Sequence, residues 1–490
     1  MIDSKYGFNV YIVPMTIFPF DRDNIAARPG PRYRAIADAL RDAIKSGNAP
    51  PGTRLPPLRE LAYGLGVTVG TASRAYALAA TRGEVSGEVG RGTYVLGEGG
   101  HERSNTGVGS ASFLTLPDTT EVAMKAAYAP PAGQTEIIGA ALSALLADLP
   151  ALASASPFNS YIVPGGDPAE RRAAAAWLAF GPYAPQADDV LICSGVQQAI
   201  LTAILGATEP GDVILTESLT YHAMVNQAGL MGRRVAPVDI DNNGLVPEAL
   251  DRAARELKPA ALFIVPTLQN PTSAIMPETR RREIAALAER HDFTIIEDDI
   301  YGMLVESRPL PLAHFAPERT WHATSLAKSV GCGLRVGFLV PPPLMRDRAR
   351  AILHGQGQTV PPLMAGLATR LIETGEAATI CGNIVREMRE RHALTEKAMT
   401  GHRITAYPAS LYAWLELPSE WRAHTFVEAA RMRGVAIAAG EDFMVGRTDR
   451  ASRHIRLAIG QPQTRDELMR GLDVVSALLS EAHIGIAVPA

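Results

Sequence analysis

Short runs of β-branched and apolar residues alternate with helical segments along most of the chain, and this alternation constrains the fold more than any other feature. Five runs have the length and composition of buried strands: 190–193, 213–216, 261–265, 294–297 and 337–340. Helical segments such as 277–291 lie between them. This pattern predicts a mostly parallel sheet in an α/β domain. After it we expect a long charged helix from about 380 and strands near 413–417 and 454–458.

Length and composition indicate a multidomain protein of the cytoplasm. The 490 residues exceed one ordinary core, and 47% hydrophobic with 20% charged residues is typical of globular proteins. No apolar run reaches the roughly 18–20 residues that span a bilayer, and residues 7–20 lack the cleavage site of a signal peptide. Cys193, Cys332 and Cys381 are too far apart for a zinc site or a disulfide framework. We therefore expect reduced thiols and no metal.

Charge is distributed unevenly between the two parts of the chain. Residues 31–96 contain nine Arg/Lys and five Asp/Glu, whereas residues 97–490 carry a balance of -8 within a total of -4. This asymmetry, with a basic N-terminal region and an acidic remainder, is expected when one domain contacts the phosphates of a nucleic acid.

Residues 31–96 contain the pattern of a winged helix-turn-helix. Segment 33–46 has apolar residues at i, i+3, i+4 and i+7 spacing, and Pro56-Pro57 begins a second helix over 58–65. Gly66 makes the turn, and Thr68 is placed to cap a third helix that runs to about Arg82. Residues 84–95 then form two short strands around a glycine-rich tip.

The third helix has the small and polar residues that a recognition helix presents to the major groove. Its outward side chains are Thr68, Thr71, Ser73 and Arg74, and Ala72, Ala75 and Tyr76 are left for packing. Arg59 on the preceding helix reaches a phosphate or a base, and Arg91 and Gly92 form the wing tip that approaches the minor groove. On the pattern alone, a protein-interaction module remains the alternative.

These residues resemble the GntR-type winged-helix domain over the whole unit. The similar stretches are Tyr33-Arg-Ala-Ile-Ala-Asp-Ala-Leu, Pro51-Gly-Thr-Arg-Leu-Pro, Leu58-Arg-Glu-Leu-Ala, Leu65-Gly-Val and Arg91-Gly-Thr-Tyr-Val. The family usually has Ser where Pro57 lies and often Arg where Val69 lies. The loss of this arginine from the recognition helix makes the base preference uncertain. We still expect the domain to bind DNA.

Three motifs in the large domain point to cofactor chemistry. In Ile192-Cys-Ser-Gly-Val-Gln-Gln-Ala a strand enters a helix through glycine, and a helix N-terminus favours a phosphate. In Ile295-Ile-Glu-Asp-Asp-Ile-Tyr-Gly three acids end an apolar strand, where α/β sheets bind ligands. A carboxylate buried there needs a cationic partner such as a protonated pyridine nitrogen. A helix cap or a metal site is the alternative for these acids.

The third motif, around Lys328, is Thr324-Ser-Leu-Ala-Lys-Ser-Val-Gly-Cys-Gly-Leu-Arg-Val-Gly. Small and apolar neighbours desolvate the lysine, which lowers its pKa and makes it a nucleophile for a carbonyl carbon. Ser325 and Arg335 flank it and can hold a phosphate. Taken alone, the motif favours a solvated lysine in a loop over a nucleophile.

The order of these motifs resembles the fold-type I pyridoxal-phosphate aminotransferases over roughly 115–485. The resemblance implies that Lys328 forms a Schiff base with pyridoxal 5'-phosphate and that Asp298 pairs with the pyridine nitrogen. It places Asn270 and Tyr301 on the ring hydroxyl and Tyr221 on the ring face. The implied phosphate ligands are the backbone N–H groups of Val196 and Gln197, with Ser325 and Arg335.

The resemblance also assigns Arg456, in His454-Ile-Arg-Leu-Ala, to the carboxylate of a substrate or effector, for which a guanidinium fork is suited. Three positions depart from the family pattern. Val196 replaces a commoner Ser, Ala327 precedes the lysine where Ser is frequent, and Ser273 stands where Gly is usual. None of these removes the cofactor site.

The fusion of both halves resembles the MocR subfamily of GntR-type regulators. It implies a winged helix-turn-helix domain at 29–97, a flexible linker at 98–114 and a fold-type I domain at 115–485. The family implies a head-to-tail homodimer that binds operator DNA and senses an amine, an amino acid or pyridoxal phosphate itself. A working aminotransferase with an appended DNA-binding domain is the alternative function, and a sensor of the cofactor alone is a third.

Overall fold

The computed structural model describes residues 22–28, 30–50, 53–81, 84–88, 92–95, 121–148, 164–357, 360–446 and 451–483. Contacts divide the chain into two compact units, Met1–Leu114 and Thr115–Ala490. Within the described ranges no helix is long and apolar enough to cross a membrane. The predicted linker at 98–114 lies outside the described residues, and the predicted domain boundaries stay predictions.

The first unit contains helices and a small antiparallel sheet. Its elements in chain order are α1 (Arg22–Ala27), α2 (Arg32–Lys45), β1 (Arg54–Leu55), α3 (Leu58–Leu65), α4 (Val69–Thr81), β2 (Val85–Glu88) and β3 (Gly92–Val95). The three helices expected from periodicity are α2, α3 and α4. The expected hairpin is β2 and β3, and β1 joins it in the order β1-β3-β2. This is a winged helix-turn-helix, as predicted, with α1 and β1 added.

Apolar faces and two polar contacts hold the first unit together. Ala72, Ala75 and Tyr76 of α4 are buried, as expected from the sequence. The Tyr76 hydroxyl donates to the Pro56 carbonyl oxygen at 2.8 Å, which connects α4 to the start of α3. Arg41 of α2 lies 2.5 Å from the buried carboxylate of Glu84, just before β2. The recognition helix and the base of the wing are thus fixed to one core.

The second unit is built from strands and helices that alternate along its first two thirds. The strands are β4 (Val122–Met124), β5 (Leu191–Cys193), β6 (Val213–Glu217), β7 (Arg234–Val238), β8 (Ile240–Asp241), β9 (Gly244–Leu245), β10 (Ala261–Ile264), β11 (Thr294–Asp298), β12 (Thr320–Ser325), β13 (Gly337–Val340), β14 (Ile404–Thr405), β15 (Ala413–Glu416), β16 (Val435–Ala439) and β17 (His454–Leu457). The helices are α5 (Gln134–Asp148), α6 (Pro168–Leu178), α7 (Val196–Ala207), α8 (His222–Leu230), α9 (Pro247–Leu257), α10 (Glu278–His291), α11 (Leu312–Phe315), α12 (Arg346–Gly355), α13 (Pro362–Glu373), α14 (Glu376–Ala398), α15 (Ala423–Met432) and α16 (Arg465–His483).

A seven-stranded sheet forms the centre of the second unit, in the order β5-β13-β12-β11-β10-β6-β7. The strands from β12 to β7 are parallel, and β13 is antiparallel to both of its neighbours. The predicted, mostly parallel α/β sheet is therefore confirmed. A second sheet, in the order β14-β15-β17-β16-β4, pairs the early strand β4 with β16 and brings residues near 125 next to β17.

Candidate functional site

Loops that follow neighbouring strands of the large sheet bring the predicted site residues to one edge. Asp298 is the last residue of β11, Ser325 is the last residue of β12, and Gly195 lies between β5 and α7. Because β11 and β12 are parallel, their carboxyl ends lie side by side, where open α/β sheets bind ligands.

The β5–α7 turn forms a cradle of the kind that holds a phosphate. Gly195 has φ +81° and precedes α7 without any side-chain cap on the helix. Among the described residues, no acceptor is present for the backbone N–H groups of Val196 and Gln197. The exposed Arg335 lies over the glycine, and a Cβ built on Gly195 would be 3.2 Å from its Nη2. Free N–H donors, a helix N-terminus and a guanidinium together favour an anion.

Ser325 and Gly337 stand behind this cradle. The Ser325 side chain is buried, and its Oγ accepts the backbone N–H of Ala327 at 3.3 Å. Gly337 is paired with Cys193 across the sheet, and a Cβ at Gly337 would lie 2.6 Å from the carbonyl carbon of Gly195. The absence of a side chain at Gly337 therefore allows the Gly195 backbone to lie this close to β13.

Lys328 lies in the loop after β12 as a half-buried amine. Its Nζ donates to the Ala127 carbonyl oxygen at 2.6 Å and lies 5.8 Å from the centre of the Tyr128 ring. Burial lowers the pKa of Lys328 to about 8, and the guanidinium of Arg456 acts in the same direction. A lysine with this pKa has a substantial fraction of free amine near neutral pH, which is what a nucleophile requires.

The three consecutive acids at the end of β11 have different roles. Glu297 accepts the backbone N–H groups of Leu312 and Ala313 at 2.9 and 3.0 Å, so it caps α11. Asp299 lies 3.3 Å from Arg308 and 3.4 Å from His322. Asp298 has no such cationic partner among the described residues, and burial raises its pKa to about 7. Asp298 is thus the acid that is available to a buried cationic ligand.

Polar and aromatic side chains surround Asp298 and Lys328. The Tyr221 hydroxyl accepts from Gln197 Nε2 at 2.7 Å, which joins the start of α8 to the first turn of α7. Burial raises the pKa of Tyr301, and its ring meets that of Tyr412 edge to face at 5.6 Å. The Asp298 carboxylate raises the pKa of both Tyr221 and Tyr301, and the Arg456 guanidinium lowers it. Charges act in this way only over short distances, so these four side chains share one site.

Arg456 is a buried cation beside this group. Its Nη1 donates to Asn270 Oδ1 at 2.7 Å and its Nη2 to the Lys125 carbonyl oxygen at 2.5 Å. The Nε atom has no hydrogen-bond partner, and no carboxylate of the described residues lies within 4.0 Å of the guanidinium. Burial lowers the pKa of Arg456. Such a cation needs an anion.

Several site residues were not expected from the sequence. The Ala127 and Lys125 carbonyl oxygens hold Lys328 and Arg456, and the rings of Tyr412 and Phe443 lie 5.2 and 4.5 Å from the Arg456 guanidinium. A backbone carbonyl has no sequence signature, and a lone aromatic residue is most often part of the core. The pairing of β4 with β16 is the long-range contact that brings the two carbonyl oxygens near β17.

The first unit presents the predicted DNA-contacting residues on α3 and α4. Thr68 caps α4, since its Oγ1 accepts the Thr71 backbone N–H at 3.2 Å and lies 3.0 Å from Thr71 Oγ1. Ser73 and Arg74 are exposed on α4, and Arg59 is exposed on α3. Gly92 begins β3, whereas Arg91 lies outside the described residues. Their contacts with DNA stay predictions.

Comparison with known proteins assigns both units to families. The family model for aminotransferase class I and II matches residues 126–472. The chain belongs to this family. The model for bacterial regulatory proteins of the gntR family matches residues 32–95. A GntR regulator domain is therefore fused to a fold-type I aminotransferase domain, and the expected MocR-type architecture is confirmed.

Relatives with the same fusion extend over nearly the whole chain. The uncharacterized HTH-type transcriptional regulator YdeF of Bacillus subtilis (strain 168) is 29% identical over 92% of this chain and 95% of its own length. The uncharacterized HTH-type transcriptional regulator YjiR of Escherichia coli (strain K12) is 24% identical over 90% of this chain and 97% of its own.

A solved structure confirms the fold of the large unit. An archaeal alanine:glyoxylate aminotransferase superposes with a TM-score of 0.67 at 21% identity, over 76% of this chain and 93% of its own. The aminotransferase class I and II fold implies the use of pyridoxal phosphate in the family.

Proposed function

We propose that this protein is a DNA-binding transcription regulator whose aminotransferase domain binds pyridoxal phosphate and senses an amine, an amino acid or the cofactor itself. The observation that carries the proposal is the fusion of a GntR domain to a cofactor site whose acid, lysine and arginine are all present. The relatives named as transcriptional regulators share both domains. We expect a cytoplasmic head-to-tail homodimer, and light scattering of the purified protein tests whether it is a dimer.

The residues at the sheet edge fit pyridoxal phosphate at both ends. The phosphate is suited to the free N–H groups of Val196 and Gln197, with Ser325 and Arg335 beside them. When bound, the cofactor supplies an aldehyde that amines attack and a ring that withdraws electrons. Asp298 is buried without a cationic partner among the described residues, so its carboxylate would pair with a protonated ring nitrogen. Asn270 and Tyr301 would then face the ring hydroxyl, and Tyr221 the ring face.

The test is a gel-shift experiment with DNA from upstream of the gene, with and without pyridoxal phosphate. We expect a specific shift that competitor DNA does not remove and that depends on the cofactor. Arg74→Ala should abolish the shift without changing cofactor binding, because Arg74 is an exposed residue of the DNA-binding unit. If neither this DNA nor flanking promoters shift specifically, the regulator proposal is wrong.

The rate of covalent attachment of pyridoxal phosphate should depend on pH through the free amine of Lys328. Protonation removes the nucleophile, so the rate should rise with pH, reach half its maximum near pH 8 and then level off. A lysine with the ordinary pKa of about 10.4 would still be far from the plateau at pH 9. Stopped-flow absorbance across this range measures the midpoint, and a midpoint near 10 would contradict the role given to burial.

Gly337→Ala should weaken pyridoxal phosphate binding by about ten-fold or more and destabilise the fold by about 1–3 kcal/mol. The new Cβ would meet the backbone of Gly195, and backbone cannot move away as a side-chain end can. Gly333→Ala is the matched control, since a Cβ there meets nothing within 4 Å. Fluorescence titration and thermal unfolding of both variants measure the two effects. Equal affinities in the two variants would mean that the cradle is not the phosphate site.

A working aminotransferase is the second candidate function, and the assembled site favours it. Lys328, Asp298, Asn270 and Arg456, to which the family resemblance assigns roles in this chemistry, lie close enough to contact or to influence one another. Multiple turnovers of an amino donor with a keto acid would support the enzyme. A single half-reaction that stops, together with a change in DNA affinity, would support the regulator.

A further inference from the structure

The recognition helix presents a valine that is about half exposed and lies outside the apolar core of its domain. Val69 is the first residue of α4 and is 47% exposed. The other apolar residues that define the inner face of this helix, Ala72, Ala75 and Ala79, are fully buried. Val69 therefore does not contribute to the core of the domain, although valine is a poorer helix former than alanine.

The surroundings of Val69 match the position from which a helix-turn-helix protein reads bases. Residues at the N-terminal end of the recognition helix contact base edges in the major groove. Ser73 follows Val69 at i+4 and is exposed, so the two side chains share one face. The neighbouring Thr68 and Thr71 hydroxyls are engaged with each other at 3.0 Å. Val69 is thus the apolar group of this first turn that is free to meet a base.

Base edges in the major groove offer one apolar group, the C5-methyl of thymine. We propose that Val69 is a specificity-determining residue that contacts a thymine methyl group in each half-site of the operator. The inference rests on the proposed DNA-binding function and adds the base that the first turn of α4 selects. The valine isopropyl group has neither a donor nor an acceptor, so it cannot hydrogen-bond guanine, adenine or cytosine.

The test begins with in vitro selection from a random DNA library, using the full-length protein loaded with pyridoxal phosphate. Each thymine of the enriched half-site is then replaced by deoxyuridine, which removes only the methyl group. Binding of the wild-type protein and of Val69→Ala is measured for every substituted site. Leu344→Ala is the control for loss of an exposed apolar side chain, since Leu344 is 91% exposed in the second unit.

One thymine should be coupled to Val69. Replacing this thymine by deoxyuridine should weaken DNA binding by the wild-type protein about four-fold, which is the effect of burying one methyl group. The same replacement should leave DNA binding by the Val69→Ala variant unchanged. Leu344→Ala should behave as the wild type does. If every replacement affects wild-type protein and Val69→Ala equally, the inference is wrong while DNA binding stands. If selection enriches no sequence at all, the proposed function itself fails.

Discussion

Replacing Lys328 by alanine should abolish covalent attachment of pyridoxal phosphate. In the wild-type protein, borohydride reduction should fix the cofactor to Lys328, where peptide mass spectrometry locates it. The half-buried amine is the nucleophile that we propose for this edge of the sheet, and its loss removes one hydrogen bond, to Ala127. The cost to stability should therefore be small, about 1 kcal/mol. Lys397→Ala, on the exposed side of α14, is the control and should bind the cofactor normally.

The Lys328→Ala variant also separates the functions that remain open. If the protein senses an amine or amino acid through Lys328, the variant should lose the effect of the ligand on DNA binding. If it senses the cofactor alone, reversible binding of pyridoxal phosphate should still change DNA affinity. Covalent labelling of the variant at an unchanged level would mean that another lysine carries the cofactor.

Replacing Arg456 by glutamine should remove affinity for amino acids without unfolding the protein. Two charge-assisted hydrogen bonds to a carboxylate contribute about 3 kcal/mol, so affinity should fall by about two orders of magnitude. The substitution removes two hydrogen bonds, to Asn270 and to the Lys125 carbonyl oxygen, which lowers stability. It also removes a buried, unpaired positive charge, which raises stability, so the net change should be small. The measurement is a thermal-shift titration of the cofactor-loaded protein with α-, β- and γ-amino acids.

Arg391→Gln provides the contrast for this prediction. Arg391 is also buried, but it contacts Glu387 at 2.8 Å and the Pro462 carbonyl oxygen at 2.8 Å, so its loss should destabilise the fold. Simple amines without a carboxylate should bind wild type and Arg456→Gln equally. A large drop in melting temperature for Arg456→Gln, with amino-acid affinity unchanged, would make Arg456 a structural residue.

The sequence predicts the strands and helices of this protein well where the pattern is apolar and periodic. The boundaries of α3 are those expected, and β6, β10, β11 and β13 lie where apolar runs predicted strands. Strand β12 was missed because its residues, Thr-Trp-His-Ala-Thr-Ser, are largely polar although all six are buried. Burial of these polar groups depends on partners such as Tyr183, which hydrogen-bonds His322 at 2.8 Å. Periodicity cannot reveal partners so distant in sequence.

The candidate site shows the same division between local motif and distant contact. The motifs identify Lys328, Asp298 and Arg335, because each occurs in a short stretch with a recognisable spacing. They do not reveal that Glu297 caps α11 while Asp298, one residue later, is left for a ligand. That distinction follows from the alternation of side chains along β11 and from the position of Arg281, 3.7 Å from Glu297. The family resemblance singles out Asp298 among the three acids, and the tertiary structure adds the partners that engage Glu297 and Asp299.

A regulator controlled by its cofactor requires energetic coupling between the cofactor site and the DNA-binding domain. The most direct measurement is the affinity for pyridoxal phosphate with and without saturating operator DNA, beside the affinity for DNA with and without the cofactor. Linkage requires both ratios to be the same, and a typical coupling of 1–3 kcal/mol corresponds to about 5–150-fold. We predict equal ratios in this range. Ratios of one in both directions would show that the two domains bind their ligands independently, and the account of a regulator controlled by its cofactor would be wrong.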